Sequence, residues 1–221
     1  HGYWTRGESK MSKSLGNVIR PLEMKARYGM DAFRYFLLRE MAFGQDATFS
    51  EDAFVTRVNA DLANNLGNLV SRTLAMQQRY FQGAAQPLGA AADEDRELAA
   101  AFDTARAELP AFVEQLAFHR GLDALWRAID AANKYIVTTA PFTLAKDPAT
   151  LPRAGAVLRN LLEALATTAV LLKPFLPDTA DRILGLLDLP LDAAIVPWGT
   201  ALADGHVTRK PEILFPRIET D

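Results

Sequence analysis

Apolar residues recur at helical spacing along most of the chain. The clearest stripe follows Ser50 and consists of Phe54, Val58, Leu62, Leu66 and Val70, widened by Leu69 and Leu74. A spacing of four residues places such side chains on one face of a helix. Ser50 with Glu51 and Asp52 after it is a strong helix start, because the hydroxyl caps free N–H groups and acids favour the first turn. The pattern predicts one long helix from Ser50 to about Tyr80.

Similar patterns predict further helices on both sides of this long one. Before it, Pro21 begins a short helix that ends at Gly29, a residue suited to a left-handed cap, and Asp31 caps a second helix, AFRYFLLREM. After it, helices are expected at about 93–117, 121–139, 150–172 and 177–187. Short loops between long helices are typical of an antiparallel bundle, so the predicted fold class is mainly α. In the turn-rich tail, EILFPRIE alternates like a short strand.

Composition narrows the classes of function. The chain has 221 residues, 49 % of them apolar, and a net charge of −3, which indicates a folded core and excludes a uniformly basic nucleic-acid binder. Cysteine is absent from the sequence, so disulfides, thiolate zinc sites and cysteine nucleophiles are excluded. The histidines at positions 1, 119 and 206 lack metal-ligand spacing, and we expect no metal bound within the chain.

The sequence shows no membrane-spanning or targeting pattern. Apolar runs stay below the roughly 20 residues that a membrane span requires, and no signal peptide is visible. The longest candidate, LLEALATTAVLLKPFLP, is interrupted by Lys173 and Pro174. We therefore expect a cytoplasmic protein with no membrane partner. Because the chain begins with His1 rather than methionine, we also expect a processed or truncated piece of a longer protein.

Positive charge is concentrated at the N-terminal end. Residues 1–30 carry six Lys or Arg and two Glu, whereas residues 93–117 carry seven acids and two Arg. The basic end attracts polyanions better than the acidic helix does. The segment AFGQDATFS separates the basic region from the long helices, and the composition changes again near residue 190. We expect three parts, at 1–49, 50–189 and 190–221.

Two lysines stand three residues apart in the glycine-flanked stretch GESKMSKSLGN. On such a loop Lys10 and Lys13 would place two ammonium groups around one polyphosphate, each as a mobile charge with three donors. For a bare Lys-x-x-Lys pair a solvated basic turn is the commoner explanation. The spacing alone leaves both interpretations open.

A polar stripe is predicted on the long helix. Asp61, Asn65, Asn68 and Arg72 follow one another at spacings of four, three and four residues, turned away from the leucines. Amide and guanidinium groups in a row suit base edges and phosphates. An ordinary solvated face is the alternative, and the spacing by itself favours that alternative.

The whole motif KMSKS followed by LGN resembles the second signature loop of class I aminoacyl-tRNA synthetases. The stretch from HGYWTRGESKMSKSLGN to DLANNLGNLVSR is similar to methionyl-tRNA synthetases, and the similarity resumes in ANKYIVTTAPF, LLKPFLP and KPEILFPRIE. The resemblance implies a lysine-loop and stem-contact region at 1–49, closing the catalytic domain. It further implies the class I anticodon-binding helix bundle at 50–189, and a tail at 190–221 that packs back on the core.

The resemblance also implies site residues. Lys10 and Lys13 would stabilise pyrophosphate as it leaves ATP, and ATP would bind as its Mg²⁺ complex. The implied ATP-binding positions are Lys10, Met11, Ser12, Lys13 and Ser14. Asn68 and Arg72, in NLVSR, would read the anticodon. Phe142, in TAPF, stands where relatives usually have tryptophan and would stack on an anticodon base. The implied partners are tRNA(Met), with ATP and methionine in the full-length enzyme, and we expect a monomer.

Parts of the family pattern have no counterpart in the sequence, namely the nucleotide-binding fold, its His-rich signature and the methionine pocket. We therefore expect the C-terminal part of a methionine–tRNA ligase, inactive alone. A stand-alone tRNA-binding module is the alternative, and a helical protein-interaction bundle leaves KMSKS unexplained.

Trp126 is expected in the core and Trp198 as an anchor of the tail. Asn133 and Tyr135, near Phe142 in sequence, are weak binding candidates.

Overall fold

The structure is a computed structural model that describes residues 2–6, 9–11 and 18–219. Most of the described residues are helical, as the sequence predicts. The helices are α1 (Pro21–Tyr28), α2 (Met30–Glu40), α3 (Glu51–Arg57), a π-helical segment (Val58–Gly67), α4 (Asn68–Phe81), α5 (Asp93–Glu114), α6 (Phe118–Thr139), α7 (Pro141–Leu144), α8 (Leu151–Leu172) and α9 (Pro177–Leu186).

The helix predicted from Ser50 to about Tyr80 is confirmed. α3, the π-helical segment and α4 follow one another without a break, and we call them together the long helix. Ser50 caps it, because its hydroxyl oxygen accepts a hydrogen bond from the backbone N–H of Ala53 at 3.0 Å. The π-helical segment was not predicted. Its wider turn changes which residues share a face, so a stripe assigned from α-helical spacing does not stay on one side.

α8 is the central helix of the bundle. Its apolar side chains are buried on nearly all sides, which explains why its sequence shows little polar alternation. Among the described residues it is the one helix long and apolar enough to cross a membrane, yet 89 % of that apolar window is buried inside the protein. Length and composition here are those of a core helix.

α2 is fastened to the junction between α8 and α9. The prediction that Asp31 caps α2 is wrong: Asp31 lies inside the first turn of α2, which begins after Gly29, a residue with a φ of +84°. The buried Asp31 carboxylate instead accepts a hydrogen bond at 2.6 Å from the backbone N–H of Thr179, in the first turn of α9. Burial raises the pKa of this carboxyl. Three residues later, the Arg34 guanidinium donates to the carbonyls of Pro174 and Phe175, at 3.0 and 2.8 Å, just beyond α8.

A small sheet joins the N-terminal residues to the segment between α2 and α3. It contains β1 (Trp4–Arg6), β2 (Ser9–Lys10) and β3 (Ala47–Thr48) in the order β2-β1-β3. β1 pairs antiparallel with β2 and parallel with β3. These short strands were not predicted. Each consists of two or three residues, too few to show an alternating pattern.

The strand predicted for EILFPRIE is wrong, because residues 212–219 are irregular. Three of their carbonyls accept hydrogen bonds from side chains rather than from a partner strand. Arg182 of α9 donates to the carbonyls of Ile213 and Leu214, at 2.9 and 2.8 Å. The Asn59 amide donates to the Ile218 carbonyl and accepts from its N–H, both at 2.8 Å. The tail therefore packs on α9 and on the long helix.

A buried ion pair on α8 holds an earlier part of the tail. The Arg159 and Glu163 side chains, each only 2 % exposed, are 3.1 Å apart. Glu163 also accepts backbone hydrogen bonds from three tail residues, Gly199, Ala201 and Leu202. The Arg159 guanidinium donates to tail carbonyls in return. The two charged side chains thus bind the backbone N–H and carbonyl groups of residues 199–202, as a neighbouring strand would do in a sheet.

Trp198 anchors the tail, as predicted. Its indole N–H donates to the Asn160 side-chain oxygen at 3.0 Å, and its ring centre lies 5.5 Å from that of Phe102. The hydrophobic core is continuous from Met24 to Leu214 across all three predicted parts. The boundaries near residues 49 and 189 stay predictions, because no gap in the core marks them.

Candidate functional site

The lysine loop lies mostly outside the described residues, which include neither Ser12, Lys13 nor Ser14. Lys10 is in β2, where its backbone stands opposite Thr5 of β1. Met11, predicted to bind ATP, lines an apolar pocket of about 190 Å³ with six other residues: Trp4, Ile19, Pro21, Phe33, Leu37 and Phe49. Met11 therefore packs against the small sheet and α2.

The first turns of α4 present two of the predicted anticodon-binding residues, Asn68 and Arg72, and both are exposed. The Asn68 amide donates to the Asn64 carbonyl at 2.9 Å, one turn earlier, which orients the side chain along the helix. Among the described residues, no ion pair or hydrogen bond engages the Arg72 guanidinium. Its donors are thus available to an RNA base or phosphate.

The other half of the predicted polar stripe points inward, so the prediction of one solvent-facing row is wrong. Asp61 accepts a hydrogen bond from the buried Tyr35 hydroxyl at 2.6 Å. Asn65 donates to Asp130 at 2.6 Å and accepts from Asn133 at 2.6 Å, both on α6. Both Asp61 and Asn65 lie in the π-helical segment, whose turn differs from the spacing assumed for the stripe.

Phe142 lies on the short helix α7 and is 43 % exposed. α7 follows Ala140, whose φ of +43° reverses the chain at the end of α6. Pro141, in the first turn, is buried and starts the new helix. At the other end, the Thr150 hydroxyl donates to the Leu144 carbonyl at 2.6 Å. The ring is therefore presented to solvent by a short helix held at both ends.

Contacts between the long helix and α6 bring Arg72 and Phe142 to the same end of the bundle. The Tyr35 side chain touches Asp61 through its hydroxyl and Trp126 through its ring, at 4.6 Å between ring centres. Further along both helices, Asn65 binds Asn133. The two helices thus run in the same direction. Arg72 and the start of α7 each lie about seven residues beyond that second contact, roughly 10 Å at 1.5 Å per residue.

This end lies opposite the lysine-loop region. Arg153, near the start of α8, contacts residues of α5, whereas the segment after α8 is held by Arg34 of α2. The neighbouring Phe33 lines the pocket that holds Met11. The 22 residues of α8 separate the two regions, a length of roughly 30 Å. A single RNA that reached both would need to extend along the whole bundle.

A buried carboxylate joins three helices beside α7. Asp95 of α5 accepts two hydrogen bonds from the Arg153 guanidinium, at 2.6 and 2.8 Å, and one from the Tyr135 hydroxyl. It also accepts from the backbone N–H of Ala92 at 2.9 Å, which caps α5. Burial raises the pKa of Asp95, but the hydrogen bonds from Arg153, Tyr135 and Ala92 outweigh it and the net shift is downward.

A lowered pKa makes the contribution of Asp95 to stability depend on pH. Its folded-state pKa lies below the ordinary value of 3.8, so its contribution is present above that pH and disappears as the pH falls through the folded-state pKa. We expect Asp95→Asn to lower the free energy of unfolding at pH 7 and to approach the unaltered chain below pH 3.8. Urea unfolding of both proteins between pH 7 and pH 3 measures this. A difference that stays constant with pH would contradict it.

The remaining sequence candidates have structural roles. Trp126 is buried, as predicted, and packs on Tyr35. Tyr135 is also buried, and the Asn133 amide N–H donates to the Asn65 side-chain oxygen. Within the described ranges, no three His, Asp or Glu side chains are placed to hold a metal ion. Sequence reasoning missed the Asp95 cluster, whose only signal was Asp95 in the first turn of an acidic helix.

Family models match both parts of the chain. Residues 1–74 match a model described as "tRNA synthetases class I (M)", and residues 86–221 match one described as "Anticodon binding domain of methionyl tRNA ligase". The second match covers most of the helix bundle and the tail. The first match ends within α4, beyond Arg72, so it includes the lysine loop and two of the candidate anticodon-binding residues.

Curated and solved relatives agree with these matches. The methionine–tRNA ligases of Caldanaerobacter subterraneus subsp. tengcongensis and Bacillus subtilis are each 40 % identical to the whole chain, which spans 35 % and 34 % of their lengths. The structure of Mycobacterium tuberculosis methionyl-tRNA synthetase in complex with methionyl-adenylate matches with a TM-score of 0.93 and 37 % identity, over 98 % of this chain and 43 % of that one. The chain therefore belongs to the methionyl-tRNA synthetase family.

Proposed function

We propose that the chain is the C-terminal part of a methionine–tRNA ligase and that it recognises the anticodon of tRNA(Met). The observation that carries the proposal is the placement of Arg72 and Phe142, both exposed, at one end of the bundle. A free guanidinium supplies donors for base edges, and an exposed ring supplies a stacking surface for an unpaired base. Asn68, one turn before Arg72, adds an amide to the same face.

The lysine-loop end supplies the second half of the proposal. Lys10 and Lys13 would stabilise the negative charge that develops on pyrophosphate as methionine is joined to AMP, with Met11, Ser12 and Ser14 as further ATP-binding positions. Groups that engage the leaving group in the transition state increase the rate rather than the affinity. The packing of Met11 against α2 supports this role, because it attaches this residue of the motif to the same body that holds the anticodon-binding face.

The proposed partners follow from these two ends. They are tRNA(Met), ATP with its Mg²⁺, and methionine, and the enzyme acts as a monomer in the cytoplasm. The separation of roughly 30 Å along α8 supports an extended RNA bound at both ends. Chemistry at the lysine loop needs the nucleotide-binding fold and the methionine pocket, so the chain alone binds RNA but does not activate methionine. A stand-alone tRNA-binding module would show the same RNA binding without any full-length activity.

Replacement of Arg72 or Phe142 by alanine tests the anticodon role. Each change is expected to weaken binding of tRNA(Met) by about 1–3 kcal/mol, or roughly 5- to 150-fold, since a base contact or a stacking surface is lost. Filter binding with tRNA(Met) and with the same tRNA carrying a changed anticodon measures both affinity and discrimination. Both variants should reduce the ratio between the two affinities.

The matched control is Arg120→Ala, which removes an exposed guanidinium near the start of α6, at the other end of that helix. It should leave the discrimination between the two RNAs unchanged. Equal binding of both RNAs by the unaltered chain would contradict the proposal, and so would full discrimination in Arg72→Ala.

A further inference from the structure

The segment that carries Phe142 is held from both sides by one carboxylate. α7 lies between the end of α6 and the start of α8. Asp95 accepts a hydrogen bond from Tyr135, seven residues before Phe142, and two from Arg153, eleven residues after it. Asp95 itself is only 3 % exposed, so it does not contact a bound RNA.

The connections from these two residues to α7 are short and hydrogen-bonded. After Tyr135, the Thr139 hydroxyl donates to the Tyr135 carbonyl at 2.6 Å, and the Ala140 N–H donates to the Ile136 carbonyl at 3.0 Å. Before Arg153, the Thr150 hydroxyl holds the last carbonyl of α7 at 2.6 Å. A displacement of either flank would therefore be transmitted to the ring.

Ala140 provides independent support for this arrangement. Its φ of +43° and ψ of 56° lie in the left-handed region, which non-glycine residues seldom adopt. Such a conformation persists when the surrounding structure fixes it. The turn at Ala140 directs the chain from α6 into α7, so the contacts that hold the two flanks also maintain the direction in which Phe142 points.

We propose that Asp95 is a positioning residue for anticodon reading, which fixes the Phe142 ring by binding Tyr135 and Arg153 together. The inference rests on the proposed function, because it takes the ring as the surface on which a base stacks. It goes further by proposing that a buried carboxylate on a different helix determines the orientation of that ring. Loss of the carboxylate charge is expected to let α7 shift while the bundle stays folded.

A double-mutant cycle separates positioning from general stability. Asp95→Asn, Phe142→Ala and the double variant are compared for binding of a fluorescein-labelled anticodon stem-loop of tRNA(Met) by anisotropy. Asp95→Asn is expected to weaken binding about fivefold in the unaltered chain and to have no further effect with Phe142→Ala, because the two changes act on one contact. The matched control, Asp103→Asn, removes an exposed carboxylate on the same helix and should leave binding unchanged.

A spectroscopic signal reports the ring itself. With 4-fluorophenylalanine at position 142, the ¹⁹F resonance should shift or broaden in Asp95→Asn and remain unchanged in Asp103→Asn. If Asp95→Asn does not fold, Tyr135→Phe removes one hydroxyl from the same cluster and carries the same comparison.

The outcomes distinguish the inference from the proposed function. Suppose that Phe142→Ala weakens binding. If Asp95→Asn then weakens binding equally in the unaltered chain and in Phe142→Ala, or weakens it in neither, Asp95 does not act through the ring and the inference is overturned. If Phe142→Ala leaves binding of the stem-loop unchanged, the stacking role in the proposed function fails first.

Discussion

Glu163→Ala is expected to lower the free energy of unfolding by about 3–5 kcal/mol, because it removes the buried carboxylate that pairs with Arg159 and leaves that guanidinium only the largely exposed Asp204 as an ion-pair partner. The two side chains are each 2 % exposed, so the pair is shielded from water. The same change removes the acceptor for the backbone N–H groups of Gly199, Ala201 and Leu202, at 3.1, 3.0 and 3.2 Å. An unpaired buried donor adds to the loss.

Urea unfolding monitored by circular dichroism measures this effect. Glu108→Ala is the matched control, since Glu108 also pairs with an arginine, Arg127, but the two side chains are 40 % and 61 % exposed. An exposed pair contributes at most about 1 kcal/mol, so the control should lose little. A loss below 1 kcal/mol for Glu163→Ala would contradict the prediction, because it would mean that Arg159 and the tail N–H groups do not depend on the Glu163 carboxylate.

Lys13→Ala is expected to slow formation of methionyl-adenylate about a hundredfold in the full-length synthetase, which corresponds to roughly 3 kcal/mol of lost transition-state stabilisation. The expectation rests on the KMSKS motif, because Lys13 lies outside the described residues. Its physical reason is that negative charge develops on pyrophosphate only as its bond to the α-phosphate of ATP breaks and the methionine carboxylate bonds to that phosphate, so the ammonium group stabilises the transition state more than bound ATP. Methionine affinity should change little, because the role proposed for this lysine is on the departing pyrophosphate and not on the amino acid.

Methionine-dependent exchange of pyrophosphate into ATP measures the rate. Lys25→Ala is the control, because Lys25 is an exposed lysine of the same basic end but belongs to α1. The isolated chain, with Lys13 and Lys25 both unaltered, should show no exchange. A normal rate in Lys13→Ala would remove the assignment of the loop, whereas exchange by the isolated chain would remove the proposal that it is one part of a larger active site.

The helices were predictable because their information is local. Four-residue apolar spacing, Ser50 at one helix start and Pro21 at another each act within one or two turns, and the structure places helices there. The strands and the role of Asp31 depend on partners far along the chain. Thr5 lies 43 residues from the Thr48 hydroxyl that it meets, and Asp31 lies 148 residues from Thr179. No local pattern encodes such pairings.

The candidate site was predictable only in part, for two physical reasons. Asn68, Arg72 and Phe142 came from the family resemblance, and the structure leaves all three exposed. The polar stripe failed at Asp61 and Asn65, because a π-helical turn and the neighbouring helices decide which way a polar side chain faces. The Asp95 cluster unites three helices, and a sequence pattern shows only the one helix on which Asp95 stands.

The buried ion pair of α8 has a consequence for how the chain is made. Arg159 and Glu163 find most of their partners outside α8 at residues 199–204, about forty positions nearer the C-terminus. Until those residues have left the ribosome, the central helix carries two charges that an apolar interior does not accept. The bundle of a nascent chain therefore completes its packing late in synthesis, when the tail arrives to cover the charges.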